Sequence, residues 1–277
     1  MLISKLLGFA LLALSQSALA QMQLAAAEDA APLSNLSRPP PAYDGPAHEA
    51  AAALFPIAMD PLPARPPKYA NFEHERATHQ ARHVADWVVD SGDNRNLPFA
   101  IVDKKDARIF VFDAEGRLRG AAPALLGLAL GDDAVPGIGV RPLSGIRPEE
   151  RTTPAGRFVA SLGRNISGKE ILWVDYDGAV SLHPVIKGKP EERRAQRLTT
   201  PTPLDNRISY GCINVPVGFF ANVVRPAFTG TDGIVYVLPE TRSAREVFAS
   251  YDTGERARPQ PAGPSVPAPA ASPGPRQ

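Results

Sequence analysis

The 277-residue sequence contains one cysteine, Cys212, in surroundings that favour a reactive thiol. Gly211 precedes it and allows a tight turn, which would expose the sulfur and adjacent backbone N–H groups to a developing oxyanion. A helix predicted from Pro216 onwards would bring the positive end of its dipole near the thiol and lower the thiol pKa. A buried, inert thiol is the alternative interpretation of a lone cysteine.

A cysteine nucleophile needs a base within hydrogen-bond reach. His183 is the only histidine after residue 83, and it ends a predicted strand over residues 179–183. The pair predicts an acyl-transfer site with Cys212 as nucleophile and His183 as general base, which later acts as the acid. The residues alone leave this site and the inert thiol both open.

Three of the five histidines, His74, His79 and His83, fall within a helix predicted over residues 71–90. Only His79 and His83 have the i, i+4 spacing that places two imidazoles on one helix face. Because a zinc site needs at least a third protein ligand, a solvated helix face is the preferred interpretation, and we expect no metal site.

The segment around the cysteine resembles a known signature. Residues 209–214, Ser-Tyr-Gly-Cys-Ile-Asn, preceded by His183, resemble the motif of the L,D-transpeptidase catalytic domain, the YkuD-like family. Residues 106–113 resemble the first hairpin of that family, and residues 152–158, Thr-Thr-Pro-Ala-Gly-Arg-Phe, resemble its Thr-Pro-x-Gly-x-Phe segment. The resemblance covers residues 98–239, about half of the chain.

The resemblance implies an exported enzyme of the bacterial cell wall that acts on peptidoglycan stem tetrapeptides. Cys212 would attack the carbonyl of the third stem residue, release the terminal D-alanine, and pass the acyl group to an amine of another stem. Backbone N–H groups of Tyr210, Gly211 and Cys212 would meet the oxyanion. Ser209 would brace the motif loop, and Asn214 would line the site or cap the following helix. The chemistry implies neither a metal nor an organic cofactor.

Other functions remain open on the sequence. Hydrolysis, in which water replaces the acceptor amine, would proceed through the same thioester and make the protein an L,D-carboxypeptidase or amidase. A non-catalytic wall-binding module is a second alternative, against which the intact Cys212 and His183 argue. A general cysteine protease fits the chemistry but lacks the local signature of the papain group.

Two features depart from the usual family pattern. The spacer between the histidine and the motif, residues 184–208, is longer than usual, so we expect it to form a lid over the substrate groove. Tyr210 stands where many members have histidine, and Asn214 where many have arginine, which leaves the choice of acceptor open. The spacer and its end are basic, which fits either a surface for stem-peptide carboxylates or a solvated charge run: Lys187, Lys189, Arg193, Arg194, Arg197 and Arg207.

The elements that must position these residues are mostly short strands. We predict a β-rich α+β fold, a mixed β-sandwich or open barrel with short helices. Helices are expected over residues 71–90, with Asn71 as the N-cap, over 216–228 and over 241–251. Apolar runs bounded by turn residues predict strands over residues 99–102, 108–112, 124–130, 157–161, 171–174, 179–183 and 234–238.

Composition limits the function further. A length of 277 residues suggests one or two domains at about 150 residues each, with ample hydrophobic content for a core. Lys and Arg number 30 against 29 Asp and Glu, so the net charge of +1 excludes the strong basic excess typical of nucleic-acid binders. Thirty prolines and 22 glycines indicate that part of the chain is linker or tail.

The ends of the sequence predict export. Residues 1–20 have the charged, apolar and Ala-x-Ala parts of a signal peptide, and their apolar run is shorter than the roughly 20 residues that span a membrane. We therefore expect a periplasmic or cell-envelope protein without stable membrane insertion after cleavage. The predicted order is a linker over 21–70, a helical segment over 71–97, the catalytic domain over 98–239, a C-terminal helix over 240–256 and a disordered tail over 257–277.

Overall fold

The computed structural model describes residues 65–256, so the predicted signal peptide, the tail and most of the linker lie outside the described residues. Strands dominate this part of the chain. Their bounds are β1 Phe99–Asp103, β2 Arg108–Phe112, β3 Leu118–Pro123, β4 Leu126–Gly127, β5 Gly156–Arg164, β6 Glu170–Asp175, β7 Val180–Pro184, β8 Arg207–Ser209, β9 Ile213–Val215 and β10 Gly233–Val237. Eight of them form one mixed sheet in the order β3-β2-β1-β10-β5-β6-β7-β9, and β4 pairs with β8.

The helices are short apart from the first. They are α1 His79–Ser91, α2 Arg194–Arg197, α3 Val217–Phe219, α4 Arg225–Phe228, α5 Ala244–Phe248 and α6 Thr253–Arg256, and a π-helical turn, Phe220–Val224, joins α3 to α4. Within residues 65–256 no helix has the length and apolar character needed to cross a bilayer. The predicted β-rich α+β fold with short helices is confirmed.

The large sheet curls into a nearly closed barrel. β3 and β9 lie at opposite ends of the strand order, yet the chain directly after β3 reaches β9. Leu125 and Asn214 exchange both backbone hydrogen bonds, at 2.8 and 2.9 Å. This exchange satisfies backbone groups that an open sheet would leave exposed at its edges.

The central strands are buried on both faces, which explains why they are almost continuously apolar. In β1, Ala100 and Val102 point into a core that the α3–α4 segment covers, whereas Phe99 and Ile101 point into a second core under α1. All four side chains are fully buried. The helix predicted before the barrel is therefore an integral layer of the fold.

The predicted start of the first helix is wrong. The expected helix over residues 71–90 begins only at His79, and Thr78 is its N-cap. The Asn71 side chain instead accepts the backbone N–H of Glu73 at 2.8 Å, and Glu73 takes a left-handed φ of 51°. Asn71 thus forms a local turn, the alternative to helix capping that this residue type also favours.

Several other elements differ from the sequence prediction. The expected strand over residues 124–130 contains only the two-residue β4: Ala124, Leu125 and Leu126 are buried where the chain crosses from β3 to β9, whereas Leu128 and Leu130 are exposed. β3 has no alternating apolar pattern, and β8 and β9 have three residues each, so all three were missed. The predicted helix over 241–251 is the shorter α5, with a capping box between Ser243 and Glu246.

A buried ion cluster ties the C-terminal segment to the barrel. Lys104, 1% exposed, donates from Nζ to Asp132 Oδ1 at 2.9 Å and to the Thr153 carbonyl at 3.0 Å. Asp132 also accepts the hydroxyl and amide of Thr241 and the amide of Glu240. Burial alone would raise the pKa of Asp132, but the hydrogen bonds from Thr241, Lys104 and these amides hold it well below its ordinary range.

Asp132→Asn should destabilise the protein by about 3–5 kcal/mol, because it leaves the buried Lys104 ammonium without its main counter-charge. Since the pKa of Asp132 is lowered on folding, its stabilisation is complete above the unfolded value of about 3.9 and is lost as the pH falls through the lower folded value. Urea unfolding of the unchanged protein and of Asp132→Asn at neutral and acidic pH would measure this difference in unfolding free energy.

Asp133→Asn is the matched control, since Asp133 is exposed and its ion pair with Arg242 contributes little at the surface. Equal stability of the two variants at neutral pH would contradict the role given to the buried cluster.

Candidate active site

Cys212 lies in the tight loop that joins β8 to β9. Gly211 has a φ of 131°, and a Cβ atom there would lie 2.9 Å from the carbonyl oxygen of Thr152, so the loop conformation requires glycine. Ser209 closes the loop: its hydroxyl donates to the Cys212 carbonyl at 2.6 Å and accepts the Gly211 N–H at 3.1 Å. The backbone next to the thiol is thus held from both sides.

The same contacts change the expectation for the oxyanion donors. Because the Gly211 N–H donates to the Ser209 hydroxyl, it is already engaged in this structure. Of the three amides that the family resemblance nominates, those of Tyr210 and Cys212 are the remaining candidates.

Pairing between β7 and β9 brings the predicted base to the predicted nucleophile. The two strands are parallel, with Leu182 opposite Ile213 and His183 opposite Asn214. His183 and the half-buried Cys212 thiol lie close enough for each group to shift the pKa of the other. Sγ also lies 3.6 Å from the Ser181 hydroxyl. Nucleophile and base candidates that are far apart in sequence are therefore brought side by side, as acyl transfer requires.

A backbone carbonyl orients the imidazole. His183 Nδ1 lies 2.9 Å from the carbonyl oxygen of Pro184. Since a carbonyl only accepts hydrogen bonds, this contact assigns the proton to Nδ1 and leaves Nε2 free to accept a proton when the ring is neutral.

The pKa values of Cys212 and His183 move toward each other. Burial, the strongest influence on each, would lower the pKa of His183 and raise that of Cys212. The mutual hydrogen bond and opposite charges outweigh it, so the pKa of His183 is raised and that of Cys212, which also receives hydrogen bonds from Ser181, is lowered. Both shifts favour a thiolate beside an imidazolium.

The predicted helix-dipole effect on the thiol is wrong. Strand β9 stands between Cys212 and the next helix, which begins only at Val217. A dipole effect falls off within the first turn of a helix. The lowered pKa of Cys212 is instead explained by its contacts with His183 and Ser181.

Asn214 is fully buried in β9 and contacts the imidazole, so it does not cap a helix. Its Nδ2 lies 3.4 Å from both His183 Nε2 and the Cys212 carbonyl oxygen. Its Oδ1 accepts a hydrogen bond from Arg194 Nη1 at 2.9 Å. Asn214 therefore links the Cys–His pair to the long spacer.

Tyr210, the next member of the predicted site, is half-buried and packs against a cation. The guanidinium carbon of Arg151 lies 3.9 Å from the centre of its ring, within the range of a cation–π contact. The aromatic residue at this position is thus held against the segment that precedes β5.

The basic residues of the spacer divide into two groups. Arg194, Arg197 and Arg207 are committed to internal partners: Arg194 and Arg197 bond to Glu192, and Arg207 to Glu240. The others are exposed, namely Lys187, Lys189 and Arg193. The internal bonds exclude a uniformly solvated charge run, while the lid role of the spacer stays a prediction.

Sequence reasoning did not place three residues beside the Cys–His pair. Ser181 lies two positions before His183 on the same strand, so the two-residue period places both on one face and could have identified it. Thr153 belongs to the recognised segment, and its hydroxyl donates to the Gly211 carbonyl at 2.9 Å and accepts the Gly127 N–H at 2.8 Å. Nothing in the sequence distinguishes Arg194 from its basic neighbours.

The histidines of the first helix lie apart from this site. The rings of His79 and His83 stack with their centroids 6.5 Å apart, and His83 Nε2 lies 3.0 Å from the Ser250 hydroxyl. The part of the chain that the structure describes contains no group of three or more histidine, cysteine or acidic residues placed to hold a metal ion.

Comparison with known proteins finds similar structures but no sequence match. No protein-family model and no curated protein matches the sequence. Among solved structures, the helical cell shape determining protein Pgp2 from Campylobacter jejuni is 15% identical, with 57% of this chain and 55% of that chain covered and a TM-score of 0.35. An L,D-transpeptidase from Mycobacterium tuberculosis is 17% identical, with 50% and 57% covered and a TM-score of 0.31.

An Enterococcus faecium L,D-transpeptidase variant is also similar, with 18% identity, 50% of this chain and 49% of that chain covered, and a TM-score of 0.28. The chain thus spans about half the length of the structures that it resembles.

The lowered pKa of Cys212 predicts that iodoacetamide alkylates its thiol at lower pH than it alkylates an ordinary cysteine. In His183→Gln the midpoint of the alkylation profile should move to higher pH, because glutamine cannot carry the positive charge that stabilises the thiolate. The alkylation rate at pH 6 should fall by on the order of tenfold. Mass spectrometry measures this cleanly because Cys212 is the only cysteine. Ser181→Ala, which retains the backbone N–H, should shift the profile less. If His183→Gln left the profile unchanged, another group would have to lower the thiol pKa.

Thr153→Val should cost about 1–3 kcal/mol, because it leaves the buried Gly211 carbonyl and Gly127 N–H without their partner. Loosening of the cysteine loop should also slow thiol alkylation. Thr152→Val is the matched control, since within residues 65–256 its hydroxyl makes no hydrogen bond, and equal effects of the two substitutions on unfolding free energy would contradict the prediction.

Proposed function

We propose that this protein is an exported L,D-transpeptidase that joins peptidoglycan stem peptides through a thioester on Cys212. The observation that carries the proposal is the placement of His183 beside the cysteine loop. Asn214 Nδ2 lies 3.4 Å from both His183 Nε2 and the Cys212 carbonyl oxygen, and His183 Nδ1 lies 2.9 Å from the Pro184 carbonyl oxygen. This arrangement supplies a nucleophile, a base and a group that orients the base.

In the proposed acylation step, the Cys212 sulfur attacks the carbonyl carbon of the third stem residue, and its proton resides on His183 Nε2. The carbonyl electron pair moves to oxygen, where the Tyr210 and Cys212 N–H groups are candidates to stabilise the charge. When the tetrahedral intermediate collapses, the C–N bond to D-alanine breaks, and His183 Nε2 gives its proton to the departing amine.

In the proposed second step, an amine of another stem attacks the thioester carbon and His183 Nε2 takes its proton. The C–S bond then breaks and the Cys212 thiolate is restored beside the imidazolium. Attack by water in place of the amine would give hydrolysis with the same proton transfers, so Cys212 and His183 could act with either acceptor.

The choice of substrate is supported by the sequence. Residues 209–214 and 152–158 carry the resemblance to the L,D-transpeptidase family, and the structure places these two segments in contact through the Thr153–Gly211 hydrogen bond. A periplasmic or envelope location follows from the predicted signal peptide, which lies outside the described residues.

The test is to incubate purified disaccharide-tetrapeptide with the chain from Gln21 onward and with its Cys212→Ala variant. A 3-3 cross-linked dimer should form only with the unchanged protein, with release of one D-alanine per cross-link, as measured by mass spectrometry. Release of D-alanine without dimer would replace the proposal by an L,D-carboxypeptidase. Absence of any reaction, or equal activity of Cys212→Ala, would overturn it.

A further inference from the structure

Arg194 is a buried cation in the long spacer, at the start of α2. It is 7% exposed, and its guanidinium has two different partners. Nε donates to Glu192 Oε2 at 2.6 Å, and Nη1 donates to Asn214 Oδ1 at 2.9 Å. Burial of a guanidinium costs free energy unless its N–H groups form hydrogen bonds, so the position of Arg194 beside the site needs an explanation.

The contact with Arg194 settles the orientation of the Asn214 amide. A guanidinium has donors only, so the atom of Asn214 that faces it must be the amide oxygen. The nitrogen then faces His183 Nε2 and the Cys212 carbonyl oxygen, 3.4 Å from each. With the amide reversed, nitrogen would face the cation and oxygen would face the Cys212 carbonyl, two repulsive contacts in a fully buried position.

Contacts on both sides of the His183 imidazole favour the same tautomer. Asn214 Nδ2 only donates, so it favours a bare His183 Nε2, and the Pro184 carbonyl only accepts, so it favours a proton on Nδ1. Both contacts select the tautomer in which Nε2 is the free base. When Nε2 carries a proton it no longer accepts a hydrogen bond, and the Cys212 carbonyl oxygen is then the acceptor for Asn214 Nδ2.

We propose that Arg194 is a positioning residue for the Cys–His pair: by holding the oxygen of Asn214, it directs the amide nitrogen to His183 Nε2 and keeps the imidazole aligned with Cys212. This inference deepens the proposed function, since it takes His183 as the base, but it does not depend on the substrate. It also gives the spacer a structural part in the site besides that of a lid.

The charge of Arg194 acts on the same histidine. The charged groups that influence His183 are Cys212, which raises the pKa of the imidazole, and Arg194, which lowers it, with Glu192 paired behind the guanidinium. A base that must also return its proton benefits from this balance, because an imidazolium stabilised only by the thiolate would release the proton less readily.

The test compares Arg194→Gln with Arg193→Gln, the same change at the adjacent, exposed position. The titration of His183 is followed by NMR, its signal being identified by its loss in His183→Gln. Arg194→Gln should move the His183 midpoint to higher pH, because a nearby positive charge is lost, and Arg193→Gln should leave it in place. A merely structural role for Arg194 would not produce this shift in one variant alone.

A second readout is turnover of p-nitrophenyl acetate, a small activated ester that reports on Cys212 acylation and on the water attack that His183 assists. Arg194→Gln should reduce this turnover by on the order of tenfold, the scale expected when a catalytic group loses its alignment. Arg194→Lys retains the charge but lacks the planar fork that joins Asn214 to Glu192, so it should keep the His183 midpoint and still lose turnover.

The inference is overturned if Arg194→Gln and Arg193→Gln have the same His183 midpoint and the same turnover. If Arg194→Gln does not fold, Arg194→Lys decides, and full turnover by that variant overturns the inference. If the protein hydrolyses the ester in a Cys212-dependent way but leaves disaccharide-tetrapeptide unchanged, the proposed substrate is rejected. The role of Arg194 is still decided by the comparison of ester turnover between the variants.

Discussion

In the parallel pairing of β7 with β9, His183 lies opposite Asn214, so the register of these strands places the histidine beside the cysteine loop. The rest of the site depends on this register. A shift by one residue would turn His183 to the other face of β7 and remove it from the thiol. The Leu125–Asn214 bridge pairs with β9 on its other side, so both barrel closure and the geometry of the Cys–His pair depend on β9.

Support for the cysteine loop reaches across the molecule through buried polar groups. Lys104 donates to the carbonyl of Thr153, and the hydroxyl of Thr153 donates to the carbonyl of Gly211. Arg194 supports the opposite side through Asn214. Each of these groups would be costly to bury alone, and together they satisfy one another. Buried hydrogen bonds therefore hold the cysteine loop on both sides.

Local pattern explains which parts of this architecture could be predicted. The run Arg-Ile-Phe-Val-Phe is apolar and bounded by turn residues, and β2 has the predicted bounds. β3 was missed because Leu-Arg-Gly-Ala-Ala-Pro has neither alternation nor a strong strand former, and its pairing depends on β2. Cys212 and His183 were identified by their scarcity and motif. Arg194 was not, because its burial is a consequence of tertiary packing that no local pattern encodes.

The pairing of β1 with β10 also has a consequence for how the chain acquires its structure. Phe99 lies opposite Ile234, and the Tyr251 hydroxyl donates to Asp90, so these contacts join segments that are synthesised at very different times. Such non-local contacts require long loops to close before they stabilise anything, which slows folding. β1 therefore has one edge without its native partner until nearly the whole described chain has been synthesised. The large sheet is therefore completed late.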